Sequence, residues 1–380
     1  MSDTMVRADR SERMTIFTAD LRGGGAERAM VKLAGGLARR GYPVDLVLSR
    51  ARGRYLSEIP GSVRIVDLGA SRVLSSLPAL VRYLRRERPF AMVTSLNHVN
   101  IVAILAKRLA GVPTRLIVNE QNTISQEASH SSRRRQRMVP RLVKRFYPWA
   151  DEIVAVSRGA AEDLAGTTGL SPGRVLVVHN PIVTPELREM AAVPLEDPWF
   201  EPGAEPVLVA VGRLSPQKDF PTLIRAVDLV RRNRPVRLVI LGDGPERTPL
   251  EALVSDLGLS DAVRLPGWVQ NPYPYMARAA AFVLSSRWEG LPSVLIEALF
   301  CGVPVVATDC PSGPREILEG GKHGLLVPVG DAEALARGIA SALDGEVPGP
   351  SRESWRPYDE DVVVERYLDV LIGAPEGAKR

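Results

Sequence analysis

Two glutamates in the stretch AFVLSSRWEGLPSVLIEALFCGVPVVATDCPSGPREILEGGKHGLL, residues 281–326, carry the strongest chemical signal in the chain. Glu289 falls in a polar segment, Ser285–Gly290. Glu297 falls among Leu295, Ile296, Ala298 and Leu299. A carboxylate in so apolar a run is costly unless paired or hydrogen-bonded; otherwise it faces solvent on an amphipathic helix. The elements around the pair read clearly. Phe282–Leu284 is an apolar run suited to a buried strand. Pro292 favours a first helical turn, Val294–Phe300 has helical character, and Gly302 with Pro304 ends it. Val303–Ala307 is a second buried strand. In such a βαβ-like unit, ligands bind beyond the carboxyl ends of the strands, and a helix start is a ready anion site.

Ser286, Glu289, Gly290, Pro292, Glu297, Ala298, Gly302, Pro304 and the run Pro311–Leu318 (PSGPREIL) together resemble the retaining glycosyltransferases of family 4. Those enzymes have the GT-B fold, and their two glutamates are separated by seven residues, as here. The resemblance implies roles residue by residue. Glu297 would bind the ribose hydroxyls of a nucleotide sugar, and Glu289 would face the transferred sugar. Backbone amides near Gly290 and Leu291 would meet phosphate or sugar oxygens.

A second motif follows the strand Val207–Val211. The run Gly212-Arg213-Leu214-Ser215-Pro216-Gln217-Lys218-Asp219-Phe220 is similar to the family's motif at this position. By that likeness Gly212 lines the donor site, while Arg213 and Lys218 grip the diphosphate and share in catalysis. Cations aimed at a leaving nucleoside diphosphate lower the barrier to its departure. The loop after Val263–Leu265 would pass the nucleobase through backbone around Trp268 and Val269. Such contact leaves little trace in side chains.

The first half of the chain alternates strands and helices, the pattern of a parallel sheet. Met14–Thr18 leads into the glycine-rich loop Ala19–Gly25 (ADLRGGG), and a helix runs from Ala26 until Gly41 stops it. The glycines fit a tight turn needing positive φ, or a loop whose backbone approaches a phosphate or sugar. GGGAER is not the dinucleotide fingerprint. The resemblance favours a loop that closes on the donor, with Gly24 and Gly25 in contact. Val44–Leu48, Val63–Leu68, Ala91–Leu96 and Arg115–Val118 read as further strands, Leu77–Arg86 and Ile101–Ala110 as helices. Loops after these strands hold Asn97, His98, Asn119, Glu120 and Asn122. The family's residues at these strand ends line the acceptor side, so His98, Glu120 and Asn122 are the acceptor-site candidates. Here Glu120-Gln121 stands where many members have a His.

Ser131–Arg145 (SSRRRQRMVPRLVKR) interleaves Arg133, Arg134, Arg135, Arg137, Arg141, Lys144 and Arg145 with Met138, Val139, Leu142 and Val143. Pro140 would interrupt a single helix. The segment fits a solvated face or a helix lying on anionic lipid. No nucleic-acid motif accompanies it.

Composition bounds these readings. The 380 residues are 45% hydrophobic and 24% charged, enough for two globular domains. A net charge of +5 and a pI near 9.3 favour an anionic partner. Cys301 and Cys310 have no metal-ligand spacing with His and form no disulfide scaffold, so both read as reduced thiols. No apolar run approaches the roughly 20 residues that span a bilayer, and the polar start MSDTMVRADRSERM has no signal-peptide core.

The sequence therefore predicts an α/β protein of GT-B type, two doubly wound Rossmann-like domains facing a central cleft. Residues 1–190 form an acceptor domain and 200–355 a nucleotide-sugar domain, joined by a linker at Pro185–Pro206. Residues 356–380 form a closing helix crossing back to the first domain. The expected enzyme is a retaining hexosyltransferase. It moves a sugar from a UDP-sugar, such as a UDP-N-acetylhexosamine or UDP-hexose, to a lipid-linked glycan in surface polysaccharide assembly. It needs no metal or other cofactor, binds no nucleic acid, and works in the cytoplasm as a peripheral protein on the inner face of the plasma membrane. A nucleotide-sugar epimerase of the same fold, and a non-catalytic nucleotide- or membrane-binding protein, are the alternatives.

Overall fold

The computed structural model describes residues 12–130 and 137–373. They divide into two compact units. The first is residues 12–182 with 358–373, and the second is Val183–Pro357.

The first unit is built on seven parallel strands: β1 Met14–Thr18, β2 Val44–Leu48, β3 Val63–Asp67, β4 Ala91–Ser95, β5 Arg115–Glu120, β6 Glu152–Ala155 and β7 Val175–Val177. Their order is β3-β2-β1-β4-β5-β6-β7. The central strands β1, β2 and β4 are buried along their whole length, as expected of a sheet covered on both faces. Helices Leu77–Glu87, Asn97–Ala110, Val139–Phe146 and Arg158–Thr168 pack against one face around Phe17, Met92, Val118 and Tyr147. Helix Gly25–Arg39 and the C-terminal helix Glu360–Ile372 cover the other, around Ile16, Leu33, Val93 and Tyr367. The last helix is tied down by ion pairs from Arg39 to Glu360 and from Arg40 to Asp361 and Glu365, and by Asn119 Nδ2 donating to Tyr367 Oη at 2.6 Å.

The second unit has six parallel strands: β8 Val207–Val211, β9 Arg237–Leu241, β10 Val263–Gly267, β11 Ala281–Leu284, β12 Val305–Thr308 and β13 Leu325–Val327. Their order is β10-β9-β8-β11-β12-β13. One hydrophobic cluster, with Leu223, Leu238, Ile240, Val283 and Ile339 at its heart, holds helices Phe220–Arg231 and Ala332–Leu343 against the sheet.

Both sheets reverse their strand order once. The switch falls between β1 and β4 in the first and between β8 and β11 in the second. Loops leaving such a pair of strands diverge to opposite faces and open a crevice at the carboxyl edge. The glycine loop after β1 and the loop Gly212–Asp219 after β8 both leave these switch points.

Several readings of local structure change, two of them in how the elements join. Asn97 and His98 were expected in a loop, but the helix begins four residues earlier than Ile101. Leu96 takes φ +80° as the cap and accepts the Asn100 amide at 2.9 Å, so the chain turns straight from β4 into the helix. Pro185–Pro206, read as a linker, carries helix Pro185–Ala192 and belongs to the second unit. Asn271 Nδ2 donates to Met190 O at 2.7 Å, and Trp199 is buried under the guanidiniums of Arg264 and Arg237. Its Pro and acidic residues hid a helix with a single buried anchor, Leu187.

Candidate functional site

The switch point of the second sheet gathers the two motifs. Loop Gly212–Asp219 and loop Ser285–Leu291 are stitched together by Ser285 Oγ donating to Lys218 O at 2.7 Å, Arg287 N donating to Gln217 O at 2.8 Å, and an Arg287–Asp219 ion pair at 3.1 Å. Lys218 Nζ lies 2.6 Å from Glu289 Oε1. Ser286 Oγ donates to the same oxygen at 2.6 Å, and Gln217 Nε2 sits 3.5 Å from Oε2. Glu289 is buried at 6% exposure. A buried carboxylate held by a cation and a hydroxyl keeps its charge without the penalty of an unpaired ion.

The loop after Glu289 is fixed by the following strand end. Glu289 N donates to Pro311 O at 2.7 Å, Ser312 N to Glu289 O at 3.2 Å, and Ser312 Oγ to Gly290 O at 3.1 Å. Gly290 and Leu291 are buried. They lead into helix Ser293–Cys301, whose N-terminus carries partial positive charge.

Glu297 does not face solvent. It is 4% exposed, and Tyr273 Oη donates to its Oε1 at 3.1 Å. Of the two readings its sequence allowed, the hydrogen-bonded one is the structure's.

Arg213 is exposed, one residue beyond Gly212. Beneath it the loop rests on its neighbours' backbone. Leu214 N donates to Asp243 O at 3.0 Å, and Glu246 N to Leu214 O at 3.1 Å. Gly242 stands at φ +146°, where an added Cβ would lie 1.9 Å from Gly212 O. Only glycine permits that approach. Trp268 is 37% exposed on the loop after β10, and Val269 is half-buried.

The first unit places its candidates differently. Glu27, at the third position of helix Gly25–Arg39, turns back on the glycine loop. Gly23 N and Gly24 N donate to its Oε2 at 2.8 and 3.1 Å. Any ligand oxygen at the Gly24 amide must replace this carboxylate. Burial raises the Glu27 pKa, against the lowering effect of the two amides. Gly25 is exposed at the helix start, and His98 is exposed in the first turn of its helix.

Glu120 is the last residue of β5, not a loop residue, and is 2% exposed. Tyr147 Oη donates to its Oε2 at 2.8 Å, and the Gln121 amide lies 3.2 Å from Oε1. Burial pushes its carboxyl up to about 8. Asn122 Nδ2 is committed to Glu127 at 2.6 Å.

Of the basic segment, Arg133, Arg134 and Arg135 lie outside the described residues. Arg137, Arg141, Lys144 and Arg145 are exposed, and so are Met138 and Leu142 at 44% and 41%. Pro140 starts helix Val139–Phe146 instead of breaking one. Arg108 and Arg145 lie 4.2 and 4.6 Å from the Trp149 ring. Burial pushes both Cys301 and Cys310 up to about 12, so both are inert thiols at neutral pH. Among the described residues, no three His, Cys, Asp or Glu side chains gather as metal ligands, and no helix is long and apolar enough to cross a membrane.

Sequence reasoning passed over several residues at these places. Glu27 had a signal, a capping glutamate at the third helical position. Ser286 was noted only as part of the resemblance. Gln217 likewise stood only inside the run Gly212–Phe220, while Tyr273, Tyr147 and Gly242 act through contacts distant in sequence and left no signal.

The matches to known proteins divide as the units do. Residues 23–185 match the model of Glycosyltransferase Family 4, and 195–362 that of Glycosyl transferases group 1. Over 379 residues the chain is 33% identical to a Campylobacter jejuni protein, the N-acetylgalactosamine-N,N'-diacetylbacillosaminyl-diphospho-undecaprenol 4-alpha-N-acetylgalactosaminyltransferase, covering 95% of this chain and all (100%) of that one. The chain belongs to glycosyltransferase family 4. This glycosyltransferase is also 31% identical to the lipopolysaccharide core biosynthesis glycosyltransferase LpsE of Rhizobium meliloti, over 93% of its own length and 97% of LpsE. Its fold is GT-B. The sucrose-phosphate synthase of Thermosynechococcus elongatus matches it with TM-score 0.76 at 19% identity, over 94% of this chain and 98% of that one. Anabaena HepE, solved in complex with UDP, matches with TM-score 0.70 at 20% identity, over 94% and 99%.

Proposed function

We propose that this enzyme transfers a sugar from a UDP-sugar, with retained anomeric configuration, to a lipid-linked glycan at an anionic membrane surface. The observation that carries the reading is the gathering of Lys218, Glu289 and the start of helix Ser293–Cys301 at the switch point of the second sheet, with Glu297 buried in the same helix. In this reading Glu297 accepts the ribose hydroxyls and Glu289 faces the sugar. The Gly290 and Leu291 amides meet phosphate or sugar oxygens, and backbone at Trp268 and Val269 passes the base. Arg213 and Lys218 stabilise the leaving diphosphate, two full charges aided by the partial charge of the helix start. That supply of positive charge is the ground for proposing metal-independent catalysis. Attack would come on the face the diphosphate leaves.

The Campylobacter relative, named for a diphospho-undecaprenol acceptor, supports a lipid-linked acceptor here. HepE, solved with UDP, supports the donor class. The exposed Arg137, Arg141, Lys144 and Arg145 beside Met138 and Leu142 support a peripheral place on the cytoplasmic membrane face.

The test is UDP release from a panel of UDP-sugars, in excess EDTA, with and without lipid-linked glycan. Acceptor-dependent release is expected. Interconversion of UDP-sugars without acceptor would indicate an epimerase instead.

A further inference from the structure

The Glu289 carboxylate has two partners of different kinds on one oxygen. Lys218 Nζ and Ser286 Oγ both lie 2.6 Å from Oε1. A diphosphate at this loop would compete with Glu289 for Lys218. Its ammonium ends a flexible four-carbon stem with three donors, built to change direction. The stem runs against Gly212, where an added Cβ would lie 3.0–3.3 Å from the Lys218 Cε, Cδ and Cγ atoms. The Lys218 backbone is fixed by the Ser285 hydroxyl at 2.7 Å, so the side chain can swing while its root stays put.

Ser286 is the opposite case. It is fully buried, its carbonyl accepts Thr308 Oγ1 at 2.6 Å, and its own hydroxyl has a single rotor. We propose that Ser286 is the positioning residue for Glu289. Its hydroxyl holds the carboxylate in place while Lys218 exchanges from Glu289 to the donor diphosphate. Without Ser286 the departing lysine would leave a buried charge with its hydroxyl partner gone. Because the hydroxyl is neutral, it orients the carboxylate without cancelling the charge that faces the sugar. Gln217, anchored on Trp288 O at 2.9 Å, steadies the other oxygen. This inference rests on the proposed roles of Glu289 and Lys218.

Two measurements decide it. Ser286→Ala should lower kcat by roughly ten- to a hundred-fold, the worth of one hydrogen bond to a charged group. Donor KM and UDP Kd should stay within about threefold, and Ser286→Thr should recover part of kcat. A kcat within twofold of wild type, or equal losses in kcat and UDP affinity with a lowered Tm, would overturn the positioning role. The second measurement is a crystal structure with UDP. Lys218 Nζ should contact a phosphate oxygen while Ser286 Oγ stays on Glu289. Lys218 still seated on Glu289 would overturn the exchange. The crystal result stands even for a protein that binds UDP without transferring a sugar, so failure of the transferase reading is separable from failure of this one.

Discussion

Tyr273 Oη and Glu297 Oε1 are 3.1 Å apart, joining helix Tyr273–Ala277 to helix Ser293–Cys301. The bond orients one carboxylate oxygen of a residue whose neighbours in the sequence, Leu295, Ile296 and Ala298, are apolar. Glu297→Gln keeps the shape and the tyrosine bond but removes the charge. In its proposed role, each bond from a ribose hydroxyl to the carboxylate would be charge-assisted, worth about 1.5–3 kcal/mol. Donor kcat/KM should fall at least tenfold with Tm nearly unchanged, measured by UDP release and a thermal melt. Tyr273→Phe should give a smaller loss in the same direction.

Glu120 makes the first unit sensitive to pH. Its carboxyl is raised from the ordinary carboxylate range to about 8 by burial, with Glu127 nearby adding to the rise and Tyr147 opposing it. The native state therefore holds a proton that the unfolded chain releases at lower pH. That contribution is full below the ordinary glutamate pKa near 4.5 and is lost as pH rises through 8. Stability should fall from about pH 5 to pH 9 as this proton is lost. Glu120→Gln should flatten the decline in urea melts across that range.

The approach of Gly242 to Gly212 predicts a sharp backbone requirement. In Gly242→Ala the new Cβ would meet the Gly212 carbonyl at 1.9 Å in a φ region closed to alanine. The substitution should destabilise the protein by at least about 2 kcal/mol and weaken UDP binding, since the displaced loop carries Arg213 and Lys218. Chemical denaturation and UDP titration read the two effects.

The basic face predicts salt-sensitive membrane binding. Replacing Arg137, Arg141 and Lys144 with Ser should cut binding to anionic vesicles by roughly two orders of magnitude, at about 1 kcal/mol per charge near the surface. Raising salt on the unaltered protein should act in the same direction. Binding that ignores both changes would return this helix to an ordinary solvated face.

Much of this was legible in the chain. β1, β2 and β8 read true to the residue, because buried parallel strands are short apolar runs bounded by Gly and polar loops. The helix carrying Glu297 was bracketed by Pro292 and Gly302. Helices with weaker signals were missed. Arg158–Thr168 (RGAAEDLAGTT) has small Ala and Gly at nearly half its positions, and Pro185–Ala192 has one buried anchor. At the site, the motif residues were visible as motifs, but their partners were not. Tyr273 lies 24 residues from Glu297, Lys218 lies 71 from Glu289, and Tyr147 lies 27 from Glu120. Periodicity reports one element at a time and is silent on pairs that only the sheet's strand order brings together.

If the charges of the second unit carry the proposed transfer of a sugar from UDP to a lipid-linked glycan, the reaction needs no metal ion. The direct test incubates purified enzyme with radiolabelled UDP-sugars and a polyprenyl-diphosphate glycan in excess EDTA, and follows label into the lipid phase. Transfer from one UDP-sugar is expected, and it should be lost in Arg213→Ala with Lys218→Ala. Transfer that appears only when magnesium or manganese is restored, or that survives the double substitution, would contradict the proposal.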